Sequence, residues 1–307
     1  MSDRPPLTHP LHVPPLHASS VRLAVVIPAR DEADRVAETV TAVRSVPGVD
    51  VVAVVDDGSS DATAARARTA GARVVSHASS RGKAAALHTG VRALDRSGCD
   101  EHLLLFLDAD LGASAAHATR LVEPVVSGRA ACAIAVLPQV AGAGGHGFVV
   151  RLARDGIKQA TGRRMAAPLS GQRCLTRSAF AAAEPLAAGW GVEVGMTIDV
   201  LRAGMAVEEV PVPFTHRVTG RDLAAQLHRA RQWRDVARAL AARKVRPSLH
   251  SLPLPEQLAT TLDQAAETAA DRLGPAAADA RHSAGRMAGR MADRLRGRVP
   301  RLPGRRR

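Results

Sequence analysis

Tyrosine is absent from the 307 residues, and four phenylalanines and two tryptophans make up the aromatic content, 2% of the chain. Readers of RNA or single-stranded DNA stack bases on aromatic side chains, so a face of that kind cannot be built here. The formal net charge of +13 is therefore no sign of a nucleic-acid partner. Lysine is nearly as scarce, with Lys83, Lys158 and Lys244 alone among the cations and arginine carrying the rest. Cys99, Cys132 and Cys174 are odd in number and lack paired metal spacing, so inert thiols in a reducing compartment are expected and a disulfide framework is not. No run of 18 apolar residues occurs, which leaves no candidate membrane-spanning helix. Residues 1–20 are rich in proline and histidine without the apolar centre of a signal peptide, and read as a disordered arm. Also missing are a GxGxxG after the first strand and any GxxxxGK[ST], which argues against a dinucleotide dehydrogenase and a P-loop NTPase. A cytoplasmic protein is expected, in contact with the membrane at most from its inner face.

What is present is a repeated strand-then-helix pattern. LAVVIP (23–28) is an apolar, largely β-branched run stopped by Pro28, after which Val36, Val40 and Val43 recur at helical spacing. VVAVV (51–55) runs into Asp56 and Asp57, and a DGSSDAT turn leads into a helix that Ser60 or Asp61 can cap and Gly71 closes. ARVVS (72–76) forms a third strand, a third helix opens near Gly82, and a fourth strand ends at Asp108. This alternation predicts an α/β fold, a mostly parallel sheet covered by helices on both faces. Ligands of such sheets bind beyond the carboxyl ends of the strands. The polar clusters Pro28 to Glu32, Asp56 to Ser60, Arg81 to Lys83 and Asp108 to Gly112 all fall there.

The last cluster is the most specific. In HLLLFLDADLG (102–112) a buried-strand pattern stops at Asp108 and Asp110, which alternation places on one side of the chain. Two carboxylates so close repel unless a cation joins them. Their hard oxygens suit Mg²⁺ or Mn²⁺, with water and substrate phosphates completing the shell.

Taken in order, VVIPARDEADRVAETV, VVDDGSSDAT, RGKAAALHTG and FLDADLG resemble the successive nucleotide-sugar motifs of family-2 glycosyltransferases, over roughly residues 21–220. The resemblance implies a GT-A, Rossmann-like fold and a nucleoside-diphosphate-sugar donor, UDP- or GDP-linked. It puts the base near Pro28, Ala29, Arg30, Glu32, Asp57 and Gly58, Lys83 close by, and Asp108, Ala109 and Asp110 on ribose, metal and diphosphate. Each residue also has a plainer use. Asp31 and Glu32 suit a helix N-terminus, and Asp57, Gly58 and Ser59 suit a tight turn. Lys83 at a helix start opposes the helix dipole and calls for an anion nearby.

In the second half, Ser170, Gly171, Gln172 and Arg173 lie between helical segments. There Gly171 allows close backbone approach, and Gln172 and Arg173 can hold an oxygen-rich acceptor or merely form a polar turn. PQVAGAGGHG (138–147) reads as a flexible loop or lid. Glu193 opens a helix and lies six residues, about 600° of rotation, from Asp199, so the two do not share a face. Glu193, nearer the loop, is the candidate general base. The VEVG…ID segment (192–199) looks like glucosyl-3-phosphoglycerate synthases, and by that resemblance His216, after the next strand, completes the metal site. Arg217 and Arg221 form a basic loop similar to that of polyprenyl-phosphate glycosyltransferases but without their Ser-Lys, so the acceptor stays open between a small molecule and a lipid phosphate. The expected organisation is an arm (1–20), a glycosyltransferase domain (21–245, donor half 21–127, acceptor half 128–245), a linker with an amphipathic helix (246–274) and a basic tail (275–307). Ten arginines against Asp279 and Asp293 concentrate the positive excess in that tail, which either solubilises the chain or touches an anionic membrane.

Overall fold

The computed structural model describes residues 21–138, 147–215 and 223–245, with 223–230 as backbone only. The N-terminal arm, most of the glycine-rich loop, His216, Arg217, Arg221, the linker with its amphipathic helix and the basic tail lie outside the described residues. The chain divides into a unit of residues 1–219 and 231–251, which holds the sheet, and a unit of residues 220–230 and 252–307, described only over part of one helix.

The expected alternation is present: β1 (Leu23–Ala29), α1 (Val36–Arg44), β2 (Val49–Asp56), α2 (Thr63–Thr69), β3 (Arg73–Ser76), α3 (Lys83–Asp95) and β4 (Leu103–Phe106). A 3₁₀ segment (Gly112–Ala118) and α4 (Thr119–Val126) follow, then β5 (Cys132–Val136), α5 (Gly147–Thr161), β6 (Arg173–Leu175) and α6 (Arg177–Ala183). A 3₁₀ turn at Gly189–Gly191, α7 (Val192–Arg202), β7 (Val207–Pro211) and α8 (Leu223–Ala242) complete the described elements. They form one seven-stranded sheet in the order β3-β2-β1-β4-β6-β5-β7. It is parallel except that β6 runs antiparallel to both β4 and β5.

Successive residues of β1 feed opposite cores, as the two-residue period of a strand requires. Ala24 and Val26 join one cluster with Leu87, Val91 and Leu94 of α3, Leu152 of α5 and Ile198 of α7. Leu23, Val25 and Ile27 join the other with Val36, Val40 and Val43 of α1 and Leu121 and Val125 of α4. With so few aromatics, most of the filling is aliphatic, although Phe106 and Phe180 meet edge to face at 5.8 Å. All three cysteines are free and buried. Burial pushes the Cys132 thiol up to about 11 and Cys174 further still, which leaves both unreactive at neutral pH. Among the described residues no helix is long and apolar enough to cross a membrane.

The approach of α3 to the sheet depends on a missing side chain. A Cβ at Gly90 would stand 2.4 Å from Cγ1 of Val26 and 3.2 Å from Cγ2 of Val55, both in the buried core. Alanine in a helix interior gains about 1 kcal/mol over glycine, but overpacking a core costs about 1–3 kcal/mol, and the branched valines have little room to yield. Gly90→Ala is therefore expected to lower stability, read as a lower urea midpoint at unchanged m-value; a raised midpoint would show that α3 can retreat freely.

Candidate active site

Strand order reverses between β1 and β4, so the loops after these two strands splay apart and leave a crevice at the carboxyl edge. The loop after β1 is fastened to the loop after β2. Asp31, with a left-handed φ of 53°, donates its N–H to Ser59 Oγ at 2.9 Å and accepts from the Ser60 N–H at 2.8 Å and hydroxyl at 3.0 Å. The Glu32 N–H donates to Thr63 Oγ1 at 2.9 Å and the Ala33 N–H to Asp61 Oδ2 at 3.1 Å. The sequence motif thus serves as a clamp between two loops. The following helix starts later than its capping pattern suggests, at Thr63, whose N–H reaches Asp61 Oδ1 at 2.9 Å. Gly58 has a φ of 74°, and a Cβ there would meet Ser79 and Ser80 backbone at 2.8 Å, so only glycine fits the crossing.

Asp57 is almost wholly buried, and its carboxylate accepts from His77 Nδ1 at 2.6 Å and from the Ser80 hydroxyl and the Arg81 and Gly82 N–H groups at 2.8 Å each. Burial on its own would raise its pKa, but the hydrogen bonds from Arg81, His77, Ser80 and Gly82 outweigh it and hold the group at about 2. These bonds fix the turn that opens α3, and Lys83 is the first residue of that helix. His77, which the motif reading does not single out, is the far end of this device: its Nε2 lies 3.0 Å from the Thr89 hydroxyl, back on α3.

Lys83 Nζ stands 2.8 Å from Asp108 Oδ1 and 2.9 Å from Glu193 Oε1. Partial burial would lower its pKa, yet the two carboxylates more than compensate and raise it above the ordinary lysine range. The other Asp108 oxygen accepts from the Gln172 amide, whose own oxygen takes the Ser170 hydroxyl at 3.1 Å. Gly171 closes in from above: a Cβ there would lie 2.2 Å from Lys83 Nζ and 3.2 Å from Asp108 Oδ1. Gly171 and Gln172, read from sequence as acceptor ligands, therefore stand against the Asp108 carboxylate.

Arg173 departs from its expected place. It lies between α5 and α6 but on the strand β6, and it is 1% exposed. Its Nε donates to the Ser170 carbonyl and its Nη1 to Thr197 Oγ1, both at 2.9 Å, and Thr197 in turn donates to the Glu193 carbonyl at 2.8 Å. It braces the floor beneath Glu193 instead of opening to a ligand. Asp199 is bound on both oxygens by Arg243 and so ties α7 to the end of α8, away from chemistry.

The turn carrying Asp110 is held from α1. The Thr39 hydroxyl donates to the Ala109 carbonyl and accepts from the Gly112 N–H, each at 2.8 Å, and Arg35 Nη1 donates to the Asp110 carbonyl at 2.8 Å. Thr39 escapes a motif reading because a buried threonine on a helix carries no sequence mark of its partner. Pro28 and Ala29 end β1, and Arg30 is exposed beside Asp31. The Thr215 N–H and hydroxyl lie 3.1 and 3.2 Å from Ser114 Oγ, tying the end of the described segment after β7 to the 3₁₀ segment that follows Asp110 in the chain.

A mostly parallel seven-stranded α/β sheet with this rim of carboxylates and one lysine at its switch point is the GT-A architecture. A model of the family described as glycosyl transferase family 2 matches residues 24–180, and the chain belongs to that family. It is 28% identical over 211 residues to glycosyltransferase AglJ of Haloferax volcanii, covering 65% of each chain. It is 32% identical over 200 residues to a glucosyl-3-phosphoglycerate synthase of Mycolicibacterium paratuberculosis, covering 58% of this chain and 59% of that one. The chain thus matches somewhat under two thirds of the length of these curated relatives. Among solved structures, glucosyl-3-phosphoglycerate synthase from Mycobacterium tuberculosis with Mn²⁺, UDP and glucosyl-3-phosphoglycerate superposes with a TM-score of 0.59 at 28% identity, over 75% of this chain and 82% of that one. The same enzyme with Mg²⁺ and UDP gives 0.59 at 26% identity, over 79% and 89%.

Because the folded-state pKa of Asp57 is depressed, from roughly 3.9 when unfolded, its contribution is fully present above about pH 4 and is lost as pH falls towards 2. Asp57→Asn is expected to cost on the order of 2 kcal/mol at pH 7 and to flatten stability between pH 4 and 2. Urea unfolding of both proteins across that range checks this; parallel acid limbs would show that another carboxylate carries the dependence.

Proposed function

We propose that the protein is a metal-dependent glycosyltransferase that moves a hexose from a UDP-sugar to a small hydroxyl-bearing acceptor. The observation that carries this reading is the Lys83 ammonium held between Asp108 and Glu193 at the switch point. It joins the carboxylate of the donor rim to the carboxylate at the start of α7. UDP is preferred over GDP because the solved relatives hold UDP.

Asp108 and Asp110 supply hard oxygens two residues apart, a donor set that fits Mg²⁺ or Mn²⁺. His216 would join them, which the anchoring of Thr215 to Ser114 supports. The ion would neutralise charge on the leaving diphosphate. Lys83 would contact that diphosphate directly. Drawing its ammonium towards phosphate loosens its pair with Glu193, which then has an oxygen for the acceptor hydroxyl. Glu193 also lines a cavity of about 180 Å³ together with Val149, Leu169, Trp190, Gln232 and Val236. This cavity is the acceptor subsite in our reading. Trp190, 38% exposed, is the large apolar side chain that a sugar ring or carbon backbone can rest on.

The deciding experiment is thermal stabilisation by UDP-glucose, UDP-galactose, UDP-N-acetylglucosamine and GDP-mannose with and without Mn²⁺, paired with donor hydrolysis. A ligand at 100 times its Kd stabilises the native state by about 2.7 kcal/mol. A metal-dependent shift with at least one UDP-sugar, and hydrolysis lost in Asp108→Asn, are expected; shifts that ignore metal would overturn the donor site. A silent binding module would show the shift without hydrolysis.

Lys83→Met should weaken donor binding by about 1.5–3 kcal/mol, the value of a charge-assisted contact, while Lys244→Met leaves it unchanged. Equal affinities in a calorimetric titration would remove Lys83 from the site. Trp190→Ala should raise the acceptor KM several-fold with donor hydrolysis intact, and an unchanged KM would move the acceptor elsewhere.

A further inference from the structure

The opposite, amino-terminal edge of the sheet carries a second chemical cluster that the glycosyl-transfer reading does not use. Asp50, near the start of β2, and His102, just before β4, meet there with His102 Nε2 at 2.8 Å from Asp50 Oδ2. Cys99, three residues before His102 in the sequence Cys-Asp-Glu-His, brings its thiol to the same place. One ligand atom from each of the three side chains lies within 4.8 Å of the other two. His102 and Cys99 are buried, at 4% and 6% exposure, whereas the Asp50 side chain is 40% exposed. Beside them opens a cavity of about 270 Å³ lined by Arg22, Asp100, Glu101 and His102.

We propose that Asp50, Cys99 and His102 form a binding site for a borderline-soft divalent cation, Zn²⁺ above all, separate from the Mg²⁺ or Mn²⁺ site of the donor rim. Sulfur, imidazole and carboxylate together are a zinc donor set, whereas Mg²⁺ takes oxygen alone. With Zn–S near 2.3 Å and Zn–N and Zn–O near 2.0–2.1 Å, ligand atoms around one tetrahedral ion stand roughly 3–4 Å apart. The metal-free cluster needs a closure of about 1 Å to reach that spacing. The means of closure is local: Cys99 sits in the loop between α3 and β4, next to Gly98 at a φ of 73°. The fourth position faces the cavity, where Asp100 and Glu101 add negative charge. Arg22 opposes the ion, since its guanidinium pairs with Asp50 Oδ2 at 3.0 Å, but its side chain is 64% exposed and can swing into water. Two backbone carbonyls hold the loop from below, those of Cys99 and His102, both of which accept from Arg177. An ion here would clip the α3–β4 loop to the start of β2 across 52 residues of sequence.

Asp50 and the donor rim lie at opposite ends of β2, roughly 20 Å apart at about 3.3 Å per residue, so the two sites can be read independently. The full-length protein, stripped with chelator and titrated with Co²⁺ alone, should bind one equivalent with a thiolate-to-cobalt charge-transfer band in the near ultraviolet. The band should vanish on addition of Zn²⁺ and in Cys99→Ser, persist in Cys174→Ser, and persist in Asp108→Asn, which disables the donor rim. On the wild-type protein, Zn²⁺ should protect Cys99 from alkylation, located by peptide mass spectrometry. No band, a band that survives Cys99→Ser, or Cys99 labelling indifferent to Zn²⁺ would leave only a histidine–aspartate hydrogen bond and overturn the proposal. Donor turnover in Mn²⁺ is expected to be the same in Cys99→Ser and wild type, so failure here is distinct from failure of the donor site.

Discussion

One half-buried ammonium organises the carboxyl edge of this sheet. Asp108 and Glu193 both lie within 3 Å of the Lys83 nitrogen and hold its charge against the desolvation that lowers its pKa. A buried charge lacking a partner is costly, and removing either carboxylate leaves the other with the lysine while the vacated oxygen positions must be met by something else. Everything nearby is arranged around this triplet. Asp57 gathers four donors to fix the turn before Lys83, Gln172 takes the second oxygen of Asp108, and Arg173 with Thr197 holds the first turn of α7 so that Glu193 points inward.

Much of this was legible in the sequence, and the reasons differ by residue. Val36, Val40 and Val43 record a helix face, and LAVVIP and VVAVV record buried strands, because periodicity is local and burial enforces it. The four rim motifs follow from the same reading, since a parallel sheet delivers every strand end to one edge. What could not be read is partnership over distance. Gln172 lies 64 residues from Asp108 and looks like a turn residue until β6 is known to pair with β4. The strand itself, Arg-Cys-Leu, is three residues long and opens with an arginine, so neither alternation nor composition announces it. Asp61 looks like a helix cap and also anchors Ala33, for which sequence has no signal. The contrast between Glu193 and Asp199 was readable from helical geometry alone, and Arg243 supplies the reason that the second carboxylate is occupied.

The two ends of the sheet differ in chemistry as well as position. Hard oxygens, an ammonium and backbone N–H groups collect where the strands end. Cysteine and histidine collect with Asp50 where the strands begin, in and beside the loop between α3 and β4. The scarcity of lysine sharpens the contrast: of three lysines in the chain, one is placed in the crevice, and arginine serves the structural pairs at Asp50, Asp95 and Asp199. A guanidinium makes the fixed, forked contacts suited to bracing, whereas an ammonium on a flexible stem can change partner.

The antiparallel strand β6 has a consequence for modularity. It is inserted between β4 and β5 and hydrogen-bonds to both, so the residues before and after position 127 share one sheet. Division of labour along the chain is therefore not division of folding. A fragment ending near residue 127 would keep every donor motif yet leave the edge of β4 unpaired, a row of open N–H and C=O groups that invites intermolecular pairing. Exchanging the segments after residue 127 between relatives would cut through the centre of a sheet, because β4 would lose the neighbour that joins it to β5 and β7.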